Sequence, residues 1–238
     1  MTRAFDLSAA TRPCLFEDVA IATRADRLKV EQVAVKEVRR SIVMGHYSGV
    51  MPDAVQECFG AYADGILVGA AAYGPGGNSK TLGAIIPGFD NSTGRELVRV
   101  WAHESAPGNT VSRMVGASLK MLPKSVGLVV TFADSGQGHV GTIYQALNFF
   151  YLGMSSKGVR YIDRDGVEVT SRLANIYRMR NPERFGSMSL QEVRTELGWI
   201  PVVSHPKHRY AIGVGVAKRK VNRRLAEMSV PYPRKVEK

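Results

Sequence analysis

Apolar and polar positions alternate along "VEQVAV" (30–35) with the two-residue period of a strand, and "KEVRRSIVM" (36–44) then shifts to a helical period that stops near Gly45. Two apolar runs in "CFGAYADGILVGAAAYG" (58–74) meet at Asp64-Gly65, a pair that readily supplies the positive φ angles of a tight hairpin turn. The next stretch, "GPGGNSKTLGAIIPG" (74–88), reads as a loop. "ELVRVWAHE" (96–104) returns to strand character, and "SAPGNT" (105–110) breaks it. Past the break, Val111, Met114, Val115, Ser118, Leu119 and Leu122 recur at helical spacing, and "VGLVVTF" (126–132) reads as a buried strand. In "HVGTIYQALNFFYLG" (139–153), Val140, Ile143, Tyr144, Leu147 and Tyr151 fall at i, i+3, i+4, i+7 and i+11, which predicts a helix. Further on, 157–179 reads as a hairpin turning at Asp165-Gly166, "SLQEVRTEL" (189–197) as a helix opened by a capping Ser, and "KHRYAIGVGV" (207–216) as a last strand. These elements predict an α/β or α+β domain, a mixed β-sheet with few helices.

Composition narrows the class. A chain of 238 residues with 45% hydrophobic content can bury a sizeable core, and no internal repeat is visible. The longest apolar runs, such as 127–132, fall far short of a membrane span, and the first residues lack the basic-then-hydrophobic pattern of a signal peptide. The expectation is a cytosolic protein with no membrane partner. Cys14 and Cys58 stand far apart without CxxC spacing, so neither a disulfide framework nor a zinc site is expected.

Charge adds a partner class. The formal net charge is +11, which points to a polyanion, most often a nucleic acid. From His205 to Lys238 there are ten Lys or Arg against two Glu, a net of +8 that leaves +3 for the other 204 residues. "AKRKVNRR" (217–224) is the densest part. It is either a solvated tail or a phosphate-backbone contact, and such contacts supply affinity without sequence choice.

The order strand, Gly- and Ser-containing turn, helix at residues 96–120 would aim free backbone N–H groups at an anion, as a phosphate cradle does. "PGNTVSRMVGAS" is neither GxGxxG nor a Walker loop, so an ordinary helix cap explains it equally well. The sequence of elements resembles the Gcn5-related N-acetyltransferase fold. There a hairpin is followed by a strand, a pyrophosphate-binding turn, a helix, a second strand and a helix of the form seen in "HVGTIYQALNFFYLG". The resemblance implies that two strands splay apart at "FADSGQGHVG" to admit an acyl donor. "GHYSGVMP" (45–52), "ELVRVW" (96–101), "PGNTVSRMVGASLK" (107–120), "FADSGQGHVGTIYQALNFFYLG" (132–153) and "PKHRY" (206–210), in that order, resemble the Mom family of phage DNA-modification proteins. The resemblance spans about residues 30–215 and is most specific in the Asp134 to Asn148 segment. It implies conversion of adenine in phage DNA to N6-carbamoylmethyl (methylcarbamoyl) adenine, which protects that DNA from host restriction in the cytoplasm of the infected bacterium. It also implies an N-terminal extension (1–29), an acyltransferase-like catalytic domain (30–216) and a basic tail (217–238).

The motif matches suggest His46, Tyr47, Arg99, Asp134 and Tyr144 as catalytic candidates. They suggest Gly108, Asn109, Ser112, Arg113, Gly116 and His139 for the donor, with Lys207, Arg209, Lys218, Arg219, Lys220, Arg223 and Arg224 for nucleic acid. Each has a plainer reading. Asp134 either orients adenine N6 and takes its proton, or caps a turn. Tyr144 either protonates a leaving group or packs as a core aromatic. Arg99, on an apolar strand, pairs with Asp134 or a phosphate, or points outward. His46 and Tyr47 follow a helix end, His139 starts one, and His205 and His208 contact phosphate or solvent. Tyr47, Tyr73, Trp101 and Phe149 are stacking candidates for a flipped adenine, and core candidates first.

The implied product has N6 joined to a methylene, so acetylation alone does not make it. Either a metal such as iron activates the methyl carbon of an acetyl-CoA-type donor, with His46, Tyr47 or Asp134 as ligands although no ligand motif supports it, or the donor is a glycyl ester such as glycyl-tRNA. The rival functions are a catalytically silent nucleic-acid-binding protein of the same fold and an ordinary acetyl-CoA-dependent N-acetyltransferase.

Overall fold

The computed structural model describes residues 24, 27–76, 80–169 and 171–234. Most of the expected extension 1–29 therefore lies outside the described residues. The chain divides into two compact units, one of residues 1–133, 140–153 and 208–238, the other of residues 134–139 and 154–207.

The first unit is built on a seven-stranded mixed sheet of order β1-β2-β3-β4-β5-β10-β6. Its strands are β1 (Lys29–Val33), β2 (Glu57–Ala63), β3 (Ile66–Gly74), β4 (Gly94–Ala102), β5 (Leu128–Asp134), β6 (Phe150–Met154) and, after the second unit, β10 (Lys207–Gly213). Its helices are α1 (Val35–Gly45), α2 (Thr81–Ile85), α3 (Thr110–Met121), α4 (Thr142–Ala146) and α8 (Lys218–Met228). β1 to β4 pair antiparallel, and the β2–β3 hairpin turns where expected, with Asp64 at φ 50° and Gly65 at φ 82°. β4 and β5 pair in parallel, because α3 carries the chain from the end of one back to the start of the other. The mixed sheet flanked by helices is the fold class that the pattern predicts.

Two faces of this sheet carry different helices. Phe59, Ala61, Val68, Tyr73, Leu97, Val129 and Ala133 pack with Met114 and Val115 of α3. On the other face Cys58, Leu67, Ala70 and Trp101 pack with Val38 and Ile42 of α1, and Leu128, Val130 and Ala211 pack with Val221 and Leu225 of α8. Strand alternation puts these two clusters on one side, since Glu96 is paired with Val130 and Val98 follows Glu96 by two. Burial on both sides explains the run of small residues in β2 and β3; a Cβ on Gly69 would already touch Met114 and the Trp101 carbonyl.

Polar contacts tie the layers. Tyr73 Oη and Ser118 Oγ, both buried, are 2.6 Å apart between β3 and α3. Arg95 of β4 grips the Glu57 carboxylate of β2 with Nε at 2.8 Å and a terminal nitrogen at 3.0 Å, and also donates to the carbonyls of Asn91 and Gly94.

The second unit holds a three-stranded sheet, β8 (Glu168–Val169), β7 (Val159–Ile162), β9 (Ile200–Val203), and the helices α5 (Ser171–Arg180), α6 (Pro182–Phe185) and α7 (Leu190–Glu196). Ala174, Phe185 and Val193 form its small core. Ser189 caps α7 as expected, in a reciprocal box with Glu192.

Four expectations need correction. The stretch 74–88 contains α2, whose Leu82 and Ile85 are buried. The helix expected over 139–153 is only the five residues of α4: Asn148 takes φ 58°, and 150–154 join the sheet as β6. The turn at Asp165-Gly166 is present, but β8 is two residues long and α5 follows it. The basic segment after 217 is helix α8, seated by Val221 and Leu225 and by Asn222, whose side chain accepts the Gly213 N–H at 2.7 Å.

Candidate functional site

The paired register of β4 and β5 runs from Gly94↔Leu128 to Leu97↔Thr131 and ends there, while β4 continues to Ala102 and β5 to Asp134. The two strands thus fork beyond Leu97 and Thr131. The buried Thr131 hydroxyl donates to the Leu97 carbonyl at 3.1 Å and closes the base of the fork.

Tyr144 of α4 reaches this point. Thr131, Tyr47, Glu96 and Tyr210 lie close enough to act on its hydroxyl electrostatically. Its half-buried ring packs on Phe149 and Tyr210 at centroid distances of 5.6 and 5.4 Å. Burial, reinforced by Tyr47, Glu96 and Tyr210, raises its pKa above that of an ordinary tyrosine, so it stands as a neutral phenol at physiological pH. The short helix is aimed by its start. Gly141 sits at φ 76° flush against the Tyr210 ring, and the Tyr210 hydroxyl and the Gln145 amide both donate to the Val140 carbonyl.

The loop after α1 supplies the other candidates. His46 Nδ1 accepts the Ser48 N–H at 3.1 Å and contacts the Ser48 hydroxyl at 2.8 Å, so a neutral His46 carries its proton on Nε2. Its ring lies 4.3 Å from that of Tyr47. Arg99 donates to the carbonyls of Val50 (2.8 Å) and Val98 (2.7 Å), which ties the 46–50 loop to β4. Of the stacking candidates, Tyr73 and Phe149 are fully buried and Trp101 is 5% exposed, whereas Tyr47 is 53% exposed. The first three are core residues, and Tyr47 is the one of the four that is exposed.

Next to the fork, a cleft of about 360 Å³ is lined by Ala102, His103, Ala106 and Pro107, by Asn109 to Ser112 at the start of α3, and by Thr142, Ile143 and Ala146 of α4. The size is that of a small-molecule site. Asn109 adopts the left-handed conformation (φ 67°) at the N-cap of α3, a 12-residue helix whose first amides face outward along its axis. Of the expected donor residues, Asn109 and Ser112 line the cleft. Gly108 is an exposed part of the same turn, and Arg113 is exposed on α3. Gly116 serves packing: a Cβ there would lie 3.2 Å from Leu147. His139 is exposed in the second unit, where its N–H donates to the Asp134 carbonyl at 3.1 Å. His103 was missed by the pattern. Its Nδ1 is held by Ser105 as His46 is held by Ser48, and "HxS" in both places is the signal that could have found it.

Asp134 caps a single 3-10 turn (Ser135–Gln137) by accepting the Gly136 N–H at 2.9 Å, and Lys207 lies 3.8 Å from its other oxygen. The expected alternative pairing with Arg99 is replaced by these contacts. Arg209 is half-buried and donates to the Leu152 carbonyl at 2.8 Å. His208 contacts the Tyr151 hydroxyl at 2.9 Å, and burial lowers its pKa, so it is a neutral packed residue rather than a phosphate contact. Lys218, Arg219, Lys220, Arg223 and Arg224 are exposed on α8. Among the described residues no group of three or more His, Cys, Asp or Glu is gathered so as to hold a metal ion. With His46 Nδ1 and the Asp134 carboxylate engaged as above, the suggested iron ligands do not form a fitting set. Among the described residues no helix is long and apolar enough to cross a membrane.

Comparison with known proteins gives two kinds of likeness. A model of the Mom protein family matches residues 27–234. The methylcarbamoylase mom of Escherichia phage Mu is 31% identical over 148 residues, 60% of this chain and 61% of that protein, so the match spans less than two thirds of the curated relative. Solved structures with partial similarity include the ribosomal-protein-S18-alanine N-acetyltransferase of Escherichia coli (8% identity, TM-score 0.44, covering 80% of this chain and 96% of that one). Another is a Bacillus subtilis acetyltransferase in complex with CoA (11% identity, TM-score 0.43, covering 79% and 98%). At such scores neither bears on activity.

Proposed function

The chain belongs to the Mom protein family, and from that premise we propose that it is a transferase that modifies adenine in phage DNA to the N6-carbamoylmethyl base through an acyl-transfer step at the β4–β5 fork. The observation that carries this reading is the neutral phenol of Tyr144 at the base of the fork, beside a cleft that begins at the α3 N-terminus. An acyl donor bearing phosphate would set its anionic part at the α3 amides and its carbonyl in the gap between the strands.

A glycyl ester fits the product best. Adenine N6 attacks the ester carbonyl, the C–O bond breaks, and the N6 proton ends on the departing oxygen. The free glycyl amine then attacks C6 through a five-membered ring, and the original C6–N6 bond breaks. The glycine nitrogen now holds the base and the former N6 is the terminal amide, so no redox partner is needed. Tyr144 donates its proton or a hydrogen bond to the departing oxygen. Tyr47, exposed and close enough to Tyr144 to act on it electrostatically, stacks on the base once it leaves the duplex.

The test uses purified protein, duplex DNA and glycyl-tRNA carrying ¹⁵N-glycine, with acetyl-CoA in a parallel reaction. The expected product is a modified deoxyadenosine that keeps ¹⁵N on the base after its amide is hydrolysed. Product from acetyl-CoA alone, or label lost with the amide, would overturn the glycyl route. Unmodified DNA from both donors and from expressing cells would overturn the functional reading. Survival of plasmids from expressing cells against restriction nucleases measures the protective role.

A further inference from the structure

α8 places Arg219, Lys220, Arg223 and Arg224 on the side opposite its buried Val221 and Leu225. Arg219 with Arg223 and Lys220 with Arg224 form two i,i+4 rows, so the four cations share one solvent-facing surface. A single acidic residue, Glu227, offsets them, 3.3 Å from Arg224 and itself exposed. The helix is anchored on the face of the sheet that also carries α1, whereas the cleft is lined from α3 and α4 on the opposite face. Two bulky reactants meeting at a fork in a sheet must come from its two sides, because the cleft at the α3 N-terminus has no room for a duplex.

Resting on the proposed reading of the fork, we infer that the exposed face of α8 is a docking surface for the phosphate backbone of duplex DNA, sequence-independent and on the acceptor side of the sheet. The surface is built of side chains that reach phosphates without reading base edges, and its charge complements a duplex along a whole helix face.

The test measures affinity of the full chain for a random-sequence duplex between 50 and 300 mM salt, for wild type and for the combined variant Arg219→Gln, Lys220→Gln, Arg223→Gln, Arg224→Gln. Each phosphate contact contributes about −0.9 to the slope of log K against log salt, so the slope should become shallower by roughly 3 to 4. Lys120→Gln, which removes an exposed charge of α3 on the other face of the sheet, should leave it unchanged. A smaller variant, Lys220→Gln with Arg223→Gln, should lose about half as much and covers the case where the fourfold variant misfolds. An unchanged slope in the α8 variants, a loss in the Lys120 control as large as that of the smaller α8 variant, or a loss seen with tRNA and not with duplex DNA would overturn the inference. Nucleoside analysis of DNA from the same cells tells the two ideas apart: an unmodified wild-type sample refutes the function and leaves the slopes standing.

Discussion

Replacing Tyr144 by Phe removes one hydroxyl and keeps the ring on Phe149 and Tyr210. The structural cost is small, about 1 kcal/mol at most, because the neighbouring Thr131 hydroxyl already has the Leu97 carbonyl as its partner. In the proposed mechanism the catalytic cost is larger. Loss of a positioned acid lowers rates roughly 10²- to 10⁴-fold, or about 3–5 kcal/mol of barrier. Burial and the neighbouring Tyr47, Glu96 and Tyr210 raise the Tyr144 pKa, so its acid form is complete at neutral pH and is lost only as pH rises through a value above that of ordinary tyrosine. A single-turnover assay of modified deoxyadenosine across pH 6 to 9 should therefore show no falling limb that depends on Tyr144, and Tyr144→Phe should lower the rate by a constant factor. A Phe variant within twofold of wild type while equally stable, or a Tyr144-dependent fall below pH 9, would refute the assignment.

Asp134→Asn keeps an acceptor for the Gly136 N–H and removes only the charge beside Lys207, so its melting temperature should stay within a degree or so of wild type, and a larger fall would contradict the turn-cap role. Glu57→Ala leaves the buried Arg95 with only the Asn91 and Gly94 carbonyls, which should cost about 3 kcal/mol in urea unfolding; the double change Glu57→Met, Arg95→Met should recover most of it. Burial raises the Cys58 thiol to about 12 and the Tyr73 phenol well above its usual value. Both raised values make stability whole below about pH 9 and lose it as pH climbs through the folded values, so the melting temperature should be flat from pH 6 to 8.5 and fall above; a rise there would contradict the buried placement.

The sheet was legible because its signals are local. Asp64-Gly65 fixes a hairpin by backbone conformation alone, and the apolar runs of β2, β3 and β5 persist because both faces are covered. The α4 region was not legible by the same rule. Val140, Ile143, Tyr144, Leu147 and Tyr151 do fall at helical spacing, yet Asn148 in the left-handed region ends the helix and Tyr151 is needed in the sheet. Periodicity counts neighbours on a helix and cannot see a strand competing for the same residues. In the basic segment, charge density hid the two apolar residues, Val221 and Leu225, whose spacing of four marks the buried side of a helix. The candidate residues divide on similar grounds: local motifs suggested Tyr47 and Tyr144, but their closeness depends on a loop and a helix that approach one fork from different parts of the chain. The Glu57–Arg95 and Tyr73–Ser118 pairs join residues 38 and 45 positions apart, and no short motif announces either.

Separating affinity from chemistry has a consequence for target choice. The α8 cations would hold any duplex, since phosphates are alike in every sequence. Selection must then arise where a base leaves the stack, and adenine N6 in a paired duplex is reachable only after that step. Tyr47 is an exposed ring within electrostatic range of the Tyr144 phenol, so on the proposed function flipping and stacking would be judged near the proton donor. On the proposed function, any preference for particular adenines should accordingly appear in the rate of product formation, and binding of unmodified duplexes should be nearly blind to sequence.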